Sequence, residues 1–252
     1  MAVLANKVAL VTGAGQGIGR GIALAFAKEG AAVAVVGRTL DKLVQTCADI
    51  ETAGGRAKPF VCDVKDSGQI AETVAAVASA FGRIDVLVNN AQEITFGPVI
   101  GTPDAEFEAM FTSGPLAVLR FMRECHPHLK ASGAGAVINL ASPIAFVANA
   151  GYGVYAAAKE AIRALTRTAA YEWGVDGVTV NAIAPIAASP NYETWAVANP
   201  EGARGLIATI PLGRVGDCEA DIGRAVVFLA GPDARYITGA TIPLDGGQAN
   251  FG

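Results

Sequence analysis

The sequence predicts an α/β fold: a doubly wound, mainly parallel sheet of seven strands, flanked by helices, in a single domain. Short apolar, β-branched runs alternate with segments of helical apolar spacing along all 252 residues. The short runs are apolar throughout, which is typical of strands buried on both faces. No linker rich in Pro, Gly or Ser divides the chain, so we expect one domain over residues 1–252.

The elements follow one another in strand–helix order. The predicted strands cover residues 7–12, 32–36, 57–62, 85–89, 136–140, 178–182 and 240–244. The predicted helices cover residues 18–28, 40–52, 67–81, 104–129, 155–173 and 219–229. Gly30 ends the first helix as glycines commonly do. Residues 185–211 show neither pattern, and we predict an irregular substrate loop, a candidate lid, at about residues 186–212.

Composition excludes several classes of protein. Apolar residues make up 52% of the chain and charged residues 17%, below the roughly 25% charged residues of an average soluble domain, which excludes a disordered chain. Nineteen Lys and Arg against 23 Asp and Glu give a net charge of −4 without a basic block, so we expect no nucleic-acid partner. The low charge also indicates a large subunit interface, and we expect a homotetramer or homodimer.

The sequence also indicates where the protein resides. The uncharged stretch 131–158 is interrupted by Gly, Pro and Asn and predicts a strand, a loop and a helix start, so we expect no membrane partner. Residues 1–8 hold no secretion signal. The four cysteines lack metal-ligand spacing, which favours reduced thiols in a cytoplasmic protein, and we expect no metal site.

A glycine-rich turn joins the first predicted strand to the first predicted helix. Residues 12–19 read TGAGQGIG, with the spacing T-G-x-x-x-G-x-G rather than G-x-G-x-x-G. Backbone N–H groups and the positive helix end suit a pyrophosphate at such a turn. The predicted cofactor contacts here are Gly13, Gln16, Gly17, Ile18 and Gly19. A tight strand–helix connection without a ligand is the alternative.

The end of the second predicted strand indicates which dinucleotide is bound. Gly37, Arg38 and Thr39 stand where sites for NAD(H) usually carry an acid for the ribose 2′-hydroxyl. An Arg followed by a hydroxyl suits a 2′-phosphate, because the hydrogen bond is charge-assisted. We therefore predict that Arg38 and Thr39 bind NADP(H), with NAD(H) as the less favoured cofactor. The alternative is a solvated cation at a strand end.

Three residues form a candidate catalytic group. Tyr155 and Lys159 lie at i and i+4 of one predicted helix, so their side chains share a face. An ammonium near a phenol favours the phenolate, and we expect a lowered Tyr155 pKa. Ser142 follows the predicted strand 136–140, at the edge where open α/β sheets place ligands, and can donate to an oxygen that becomes negative.

Together these motifs resemble the short-chain dehydrogenase/reductase family. The chain carries TGAGQGIG at 12–19, CDV at 62–64, NNA at 89–91, Ser142, YAAAK at 155–159 and ITGATIPLDGG at 237–247, in the family's order. The resemblance covers nearly the whole chain. It implies a Rossmann-type fold and an enzyme of the carbonyl reductase or alcohol dehydrogenase type. Such enzymes transfer a hydride between nicotinamide C4 and a carbonyl or secondary-alcohol carbon.

The resemblance also implies residue roles. Tyr155 is the general acid/base, Lys159 tunes it and holds the nicotinamide ribose, and Ser142 binds the substrate oxygen. The further cofactor contacts that it implies are Asp63 and Val64 at the adenine, Asn90 and Ala91 at the riboses, and Pro185 and Ile186.

Three positions depart from the family pattern. Gln92 replaces the last glycine of NNAG, and Ile186 replaces the glycine of the family's PG. Gly114 stands where the family usually has an Asn that holds a water of the proton relay, and Pro115 predicts a helical kink there. Gln92 either substitutes for the missing Asn or narrows the substrate entrance. These changes affect turnover more than fold.

The substrate pocket is predicted from position and chemistry. Tyr152 lies seven residues before Lys159, the spacing of enoyl reductases, but the nucleotide turn fits carbonyl-reducing members, so Tyr152 is predicted as a pocket wall. Trp195 in the predicted lid favours an apolar ketone or alcohol, or else packs against a neighbouring subunit. The predicted pocket residues are Gln92, Ile144, Tyr152 and Trp195. An enoyl or imine reductase, and a catalytically poor NADP(H)-binding regulatory or scaffold protein, are the alternative functions.

Overall fold

The computed structural model describes residues 2–147 and 149–249 and contains a parallel sheet of seven strands. The strands are β1 (Val8–Thr12), β2 (Ala32–Gly37), β3 (Arg56–Val61), β4 (Val86–Asn89), β5 (Ala136–Leu140), β6 (Thr179–Pro185) and β7 (Thr241–Leu244). The α-helices are α1 (Gly17–Lys28), α2 (Leu40–Thr52), α3 (Ser67–Phe81), α4 (Asp104–Phe111), α5 (Ala117–Ala131), α6 (Gly153–Trp173), α7 (Pro190–Ala198), α8 (Pro200–Ala208) and α9 (Arg224–Ala230).

The strand order confirms the predicted fold class. The sheet runs β3-β2-β1-β4-β5-β6-β7, so β1 pairs with both β2 and β4. The chain turns from one half of the sheet to the other at this point, and open α/β sheets bind ligands in the crevice beyond the carboxyl ends of such strands. Helices cover both faces over two buried apolar clusters, one around Phe26 and one around Phe121.

The long helix predicted over residues 104–129 has the expected kink. A π-helical turn over Thr112–Leu116 separates α4 from α5, and Gly114 within it has φ −96° and ψ −105°, outside the helical region. Pro115 causes this, because a proline disfavours helical geometry at the preceding residue and donates no backbone hydrogen bond.

The expectation of an irregular segment at residues 185–211 is wrong, because α7 and α8 lie within it. The Ser189 side chain caps α7 and the Asn199 side chain caps α8, and a proline follows each cap. Ser-Pro and Asn-Pro pairs are recognisable helix starts. No residue of α7 is buried. The sequence of this helix therefore lacks the periodic apolar positions from which a helix is predicted.

The predicted helix over residues 219–229 starts differently from a regular helix. A π-helical turn over Cys218–Gly223 leads into α9. Across the described parts of the chain, no helix combines the length and apolarity needed to cross a bilayer.

Candidate active site

A cleft of about 370 Å³ opens at the carboxyl ends of β1, β2, β3 and β4. Most of the predicted cofactor residues line it: Gly13, Gln16, Gly17, Ile18, Arg38, Thr39, Asp63, Val64, Asn90 and Ala91. Gly19 and Pro185 are not lining residues, and Ile186 lines a second cavity beside β7. The crevice therefore gathers the ends of adjacent strands, as the fold predicts.

The glycine turn shapes the floor of the cleft. Gly13 and Gly17 have φ of +66° and +55°, in the left-handed region that favours glycine. A Cβ at Gly19 would lie 2.4 Å from the Gly13 carbonyl oxygen, so Gly19 allows the turn to pack on its own helix. Gln16 precedes α1 without a side-chain cap hydrogen bond. The N-cap side chain therefore does not occupy the first-turn N–H groups of α1, and this arrangement fits a phosphate group.

Asn90 ties the end of β4 to the glycine turn. Its Nδ2 donates to the carbonyl oxygens of Thr12 and Gly13 at 2.9 and 3.2 Å, and its backbone N–H donates to the Thr12 hydroxyl at 2.9 Å. The backbone N–H of Ala91 donates to the same hydroxyl at 3.0 Å. The Asn90 side chain therefore lines the cleft and also holds the end of β4 against the glycine turn.

The rim of the cleft carries an ion-pair group that sequence analysis missed. Arg38 Nη1 lies 2.5 Å from Glu93 Oε1, and Lys65 Nζ lies 3.1 Å from the same oxygen. Lys42 Nζ is nearby on α2 and donates to Gln16 Oε1 at 2.5 Å. Glu93 joins residues that are far apart in the sequence, so no local pattern marks it.

The candidate catalytic residues come together beyond β5. Ser142 precedes a short 3₁₀ turn over Pro143–Ala145 and accepts a hydrogen bond from the Ile144 N–H at 3.3 Å. Tyr155 lies in the first turn of α6, with the Ser142 hydroxyl beside its phenol. Lys159 Nζ donates to the Leu140 carbonyl oxygen at 2.7 Å and lies 5.6 Å from the Tyr155 ring centre.

Burial dominates the acid–base properties of this group. Burial lowers the pKa of Lys159 to about 7, because desolvation disfavours the ammonium. Burial also raises the pKa of Tyr155, and the adjacent Ser142 hydroxyl lowers it by less than burial raises it. The expectation of a lowered Tyr155 pKa is therefore wrong for this structure. The Lys159 ammonium donates to the Leu140 carbonyl oxygen. Its effect on the Tyr155 pKa is therefore smaller than the effect of desolvating the phenol.

An aromatic wall stands beside the catalytic group. The ring of Phe96 lies 4.7 Å from that of Tyr152 and 5.8 Å, edge-on, from that of Tyr155. Phe96 is half exposed and was not singled out by its sequence context. Trp195 on α7 packs against Tyr192 with ring centres 5.9 Å apart. The wall formed by Phe96 and Tyr152 suits an apolar molecule, whereas Trp195 pairs with Tyr192 on α7.

Gln92 and Gly114 fit each other. Both amide atoms of Gln92 are buried, and neither has a hydrogen-bond partner among residues 2–147 and 149–249. A Cβ built on Gly114 would lie 2.7 Å from Gln92 Nε2 and 2.9 Å from its Cδ. The Gln92 side chain thus fills the space that a side chain at position 114 would need.

His126 has structural surroundings. His126 Nε2 lies 2.9 Å from Asp176 Oδ2, and its ring packs on Trp173. Within the described ranges, no cluster of three or more His, Cys, Asp or Glu side chains could hold a metal ion.

Comparison with known proteins gives the family. A family model described as enoyl-(acyl carrier protein) reductase matches residues 13–249. The chain is also 42% identical, over 256 aligned positions, to a 12α-hydroxysteroid dehydrogenase from Clostridium sp., with 98% of each chain covered. The chain belongs to the short-chain dehydrogenase/reductase family.

Further relatives of this short-chain dehydrogenase/reductase extend the likeness. The short-chain reductase protein NovJ of Streptomyces niveus is 40% identical over 254 positions, covering 98% of this chain and 96% of NovJ. A solved 7α-hydroxysteroid dehydrogenase, complexed with NADH and 7-oxo glycochenodeoxycholic acid, superposes with a TM-score of 0.93 at 30% identity and covers 98% and 95% of the two chains. As a family member, the protein is an oxidoreductase that uses a nicotinamide cofactor for hydride transfer.

Proposed function

We propose that this short-chain dehydrogenase/reductase transfers a hydride between NADP(H) and the carbonyl or secondary-alcohol carbon of an apolar small molecule. The grouping of Ser142, Tyr155 and Lys159 at the end of β5, beside an aromatic wall, carries the proposal. The relatives named as hydroxysteroid dehydrogenases support an alcohol–ketone reaction on an apolar molecule.

The cleft fits the dinucleotide that this function needs. The uncapped start of α1 and the left-handed glycines suit the pyrophosphate, and Arg38 and Thr39 suit a 2′-phosphate. Asp63 and Val64 would border the adenine, and Lys159 would hold the nicotinamide ribose. The bound cofactor supplies or accepts the hydride.

The chain's own residues handle the substrate oxygen. In reduction, Tyr155 delivers a proton from its phenolic oxygen to the substrate oxygen, and in oxidation it accepts that proton. Ser142 Oγ donates a hydrogen bond to the same oxygen as negative charge develops on it. Lys159, when protonated, places a positive charge near the phenol and favours proton release from Tyr155.

A substrate panel tests this proposal. We expect NADPH oxidation with apolar ketones, including keto steroids, and slower or no oxidation with enones and imines. Tight NADPH binding without turnover on any of these compounds would favour a regulatory or scaffold protein. An enoyl or imine reductase is the second candidate, since the matching family model is described as an enoyl reductase and Tyr152 precedes Lys159 by seven residues.

The Arg38 contact is expected to set the cofactor preference. One charge-assisted hydrogen bond contributes roughly 1.5–3 kcal/mol, so NADPH should bind about 10- to 150-fold more tightly than NADH. Gly37→Asp with Arg38→Leu should reverse this preference. A Cβ at Gly37 meets only the flexible end of Leu43, at 3.1 Å, so the double variant should fold. Fluorescence titration measures both Kd values, and equal values for the unmodified protein contradict the assignment.

The Gln92–Gly114 pair makes a second prediction about turnover. Gly114→Asn alone should destabilise the protein by about 1–3 kcal/mol, because its side chain collides with Gln92. Adding Gln92→Gly removes the colliding side chain, and adding Pro115→Leu allows helical geometry at position 114. In this triple variant kcat should rise with little change in the NADPH Kd. Gln92→Gly alone is the matched control and should not raise kcat. We expect a solvent isotope effect on the unmodified protein that shrinks in the triple variant; its absence in the unmodified protein excludes a limiting proton path.

We also propose that the protein is a cytoplasmic homotetramer or homodimer. Helices α4 and α5 expose Phe107 and Leu119, and the π-helical turn between them exposes Leu116, which together offer apolar surface for a second copy. The cysteines are free thiols, as expected in a reducing compartment. A monomer mass in light scattering contradicts the proposed assembly.

A further inference from the structure

We infer that Glu93 lowers the ratio of NADP(H) to NAD(H) affinity that Arg38 produces, because its carboxylate competes with a 2′-phosphate for Arg38 and Lys65. This inference rests on the proposed function and concerns a residue outside the motifs of the family resemblance. Glu93 directly follows Gln92 at the rim of the cleft, and both Arg38 and Glu93 line the cleft.

Three strand ends meet in this contact. Arg38 follows β2, Lys65 follows β3 and Glu93 follows β4. Oxygen Oε1 of Glu93 lies 2.5 Å from Arg38 Nη1 and 3.1 Å from Lys65 Nζ, and its Oε2 lies 3.2 Å from the same Nζ. One carboxylate therefore bridges both cations, in the place where an anion bound to Arg38 would sit.

A hydrogen bond holds the backbone of Glu93 at this position. The N–H of Glu93 donates to Ser113 Oγ at 3.0 Å, and that hydroxyl donates to the Ala109 carbonyl oxygen at 2.7 Å. Ser113 is buried in the π-helical turn between α4 and α5. Glu93 is thus anchored to the body of the protein, and its pairing with Arg38 follows from the fold.

Lys65 is anchored in a similar way. Its N–H donates to Asp63 Oδ1 at 3.0 Å, and its carbonyl oxygen accepts a hydrogen bond from Arg120 Nη1 at 2.9 Å. The backbones of Lys65 and Glu93 are therefore both held by hydrogen bonds. Their side chains remain partly open to solvent, at 57% for Arg38, 35% for Lys65 and 31% for Glu93, so a ligand can reach them.

The competition affects the two cofactors differently. A 2′-phosphate must take Arg38 from Glu93 and then lies next to a like-charged carboxylate, which disfavours binding. A ribose 2′-hydroxyl displaces nothing, since the ion pair can remain closed. Glu93 therefore weakens NADPH binding relative to NADH, and the preference produced by Arg38 is smaller than Arg38 alone would give.

Removing the carboxylate tests this competition. Exposed ion pairs contribute up to about 1 kcal/mol, so Glu93→Gln should tighten NADPH binding up to about 5-fold and change NADH binding less than about 2-fold. Adenosine 2′,5′-bisphosphate and adenosine 5′-monophosphate differ only by the 2′-phosphate. By calorimetry, Glu93→Gln should tighten binding of the bisphosphate and leave binding of the monophosphate nearly unchanged.

Glu72→Gln, an exposed charge change on α3 away from the cleft, is the matched control. It should change neither the ratio of NADPH to NADH affinity nor the ratio of bisphosphate to monophosphate affinity.

The Arg38→Gln background separates competition from a structural effect. In that background, Glu93→Gln should improve NADPH binding by less than half as much, because the Arg38 guanidinium that the substitution frees in the unmodified protein is absent. Unchanged or weaker 2′-phosphate binding in Glu93→Gln overturns the inference. Equal binding of NADPH and NADH by the unmodified protein contradicts the proposed NADP(H) preference. If the ratio of NADPH affinity to NADH affinity then rises in Glu93→Gln, the competition is still supported. A ratio near one in both proteins overturns both.

Discussion

Changing Tyr155 to Phe is expected to lower ketone reduction by about 10²–10⁴-fold, the usual effect of losing a general acid. The substitution removes the phenolic oxygen that Ser142 contacts and leaves the ring, whose packing against Phe96 is edge-on. Folding and the NADPH Kd should therefore be preserved. Initial rates of NADPH oxidation on a ketone substrate measure the effect.

Tyr152→Phe is the matched control for this experiment. Its ring packs against the same Phe96 and keeps that contact after the substitution, so activity should change by only a few-fold. If Tyr152→Phe loses activity and Tyr155→Phe keeps it, the proton donor is the tyrosine with the enoyl reductase spacing, and the proposed assignment is wrong.

Lys159→Met is expected to stabilise the protein while removing most of its activity. Lys159 is almost fully buried, and burial lowers its pKa from 10.5 to about 7, so folding must desolvate a group that is charged in the unfolded chain. Each pKa unit corresponds to about 1.4 kcal/mol, and the lost hydrogen bond to Leu140 offsets about 1 kcal/mol. We expect a net gain of roughly 3 kcal/mol in the free energy of unfolding near neutral pH and a fall in kcat of about 10²-fold or more.

The pH dependence of this stabilisation has a definite sign. A lysine whose folded pKa is lowered destabilises the fold fully below the folded value, and the effect is relieved as pH rises toward the unfolded value. The stability difference between Lys159→Met and the unmodified protein should therefore be largest below about pH 7 and shrink toward about pH 10. Urea unfolding across this window measures it. A difference that is absent, or that grows with pH, contradicts the buried-lysine account.

Most of the fold was predictable because its signals are local. Apolar strands such as β1 and β5 are recognisable as continuous runs, and the Gly114-Pro115 pair marks the break between α4 and α5. Helices α7 and α8 were missed, although their cap-and-proline starts were readable, since the exposed α7 carries no buried stripe.

The site was predictable where residues sit at strand ends or in motifs. Tyr155 and Lys159 share one face of α6, as their spacing predicts, and Ser142 reaches the same place from the end of β5. Glu93 could not be found in this way, because its partner Arg38 lies 55 positions away and only the sheet order brings the two together. The direction of the Tyr155 pKa shift also escaped prediction, since it depends on burial by distant elements.

The position of the transferred hydrogen tests the central claim most directly. The substrate is an apolar α,β-unsaturated ketone, which offers both a carbonyl and a conjugated carbon–carbon double bond. The cofactor is NADPH deuterated at the transferred C4 position, and NMR locates the deuterium in the product. Carbonyl reduction with Tyr155 as the acid predicts an allylic alcohol with deuterium on the carbon that bears the hydroxyl. A saturated ketone with deuterium at the β-carbon would contradict the account and identify an enoyl reductase.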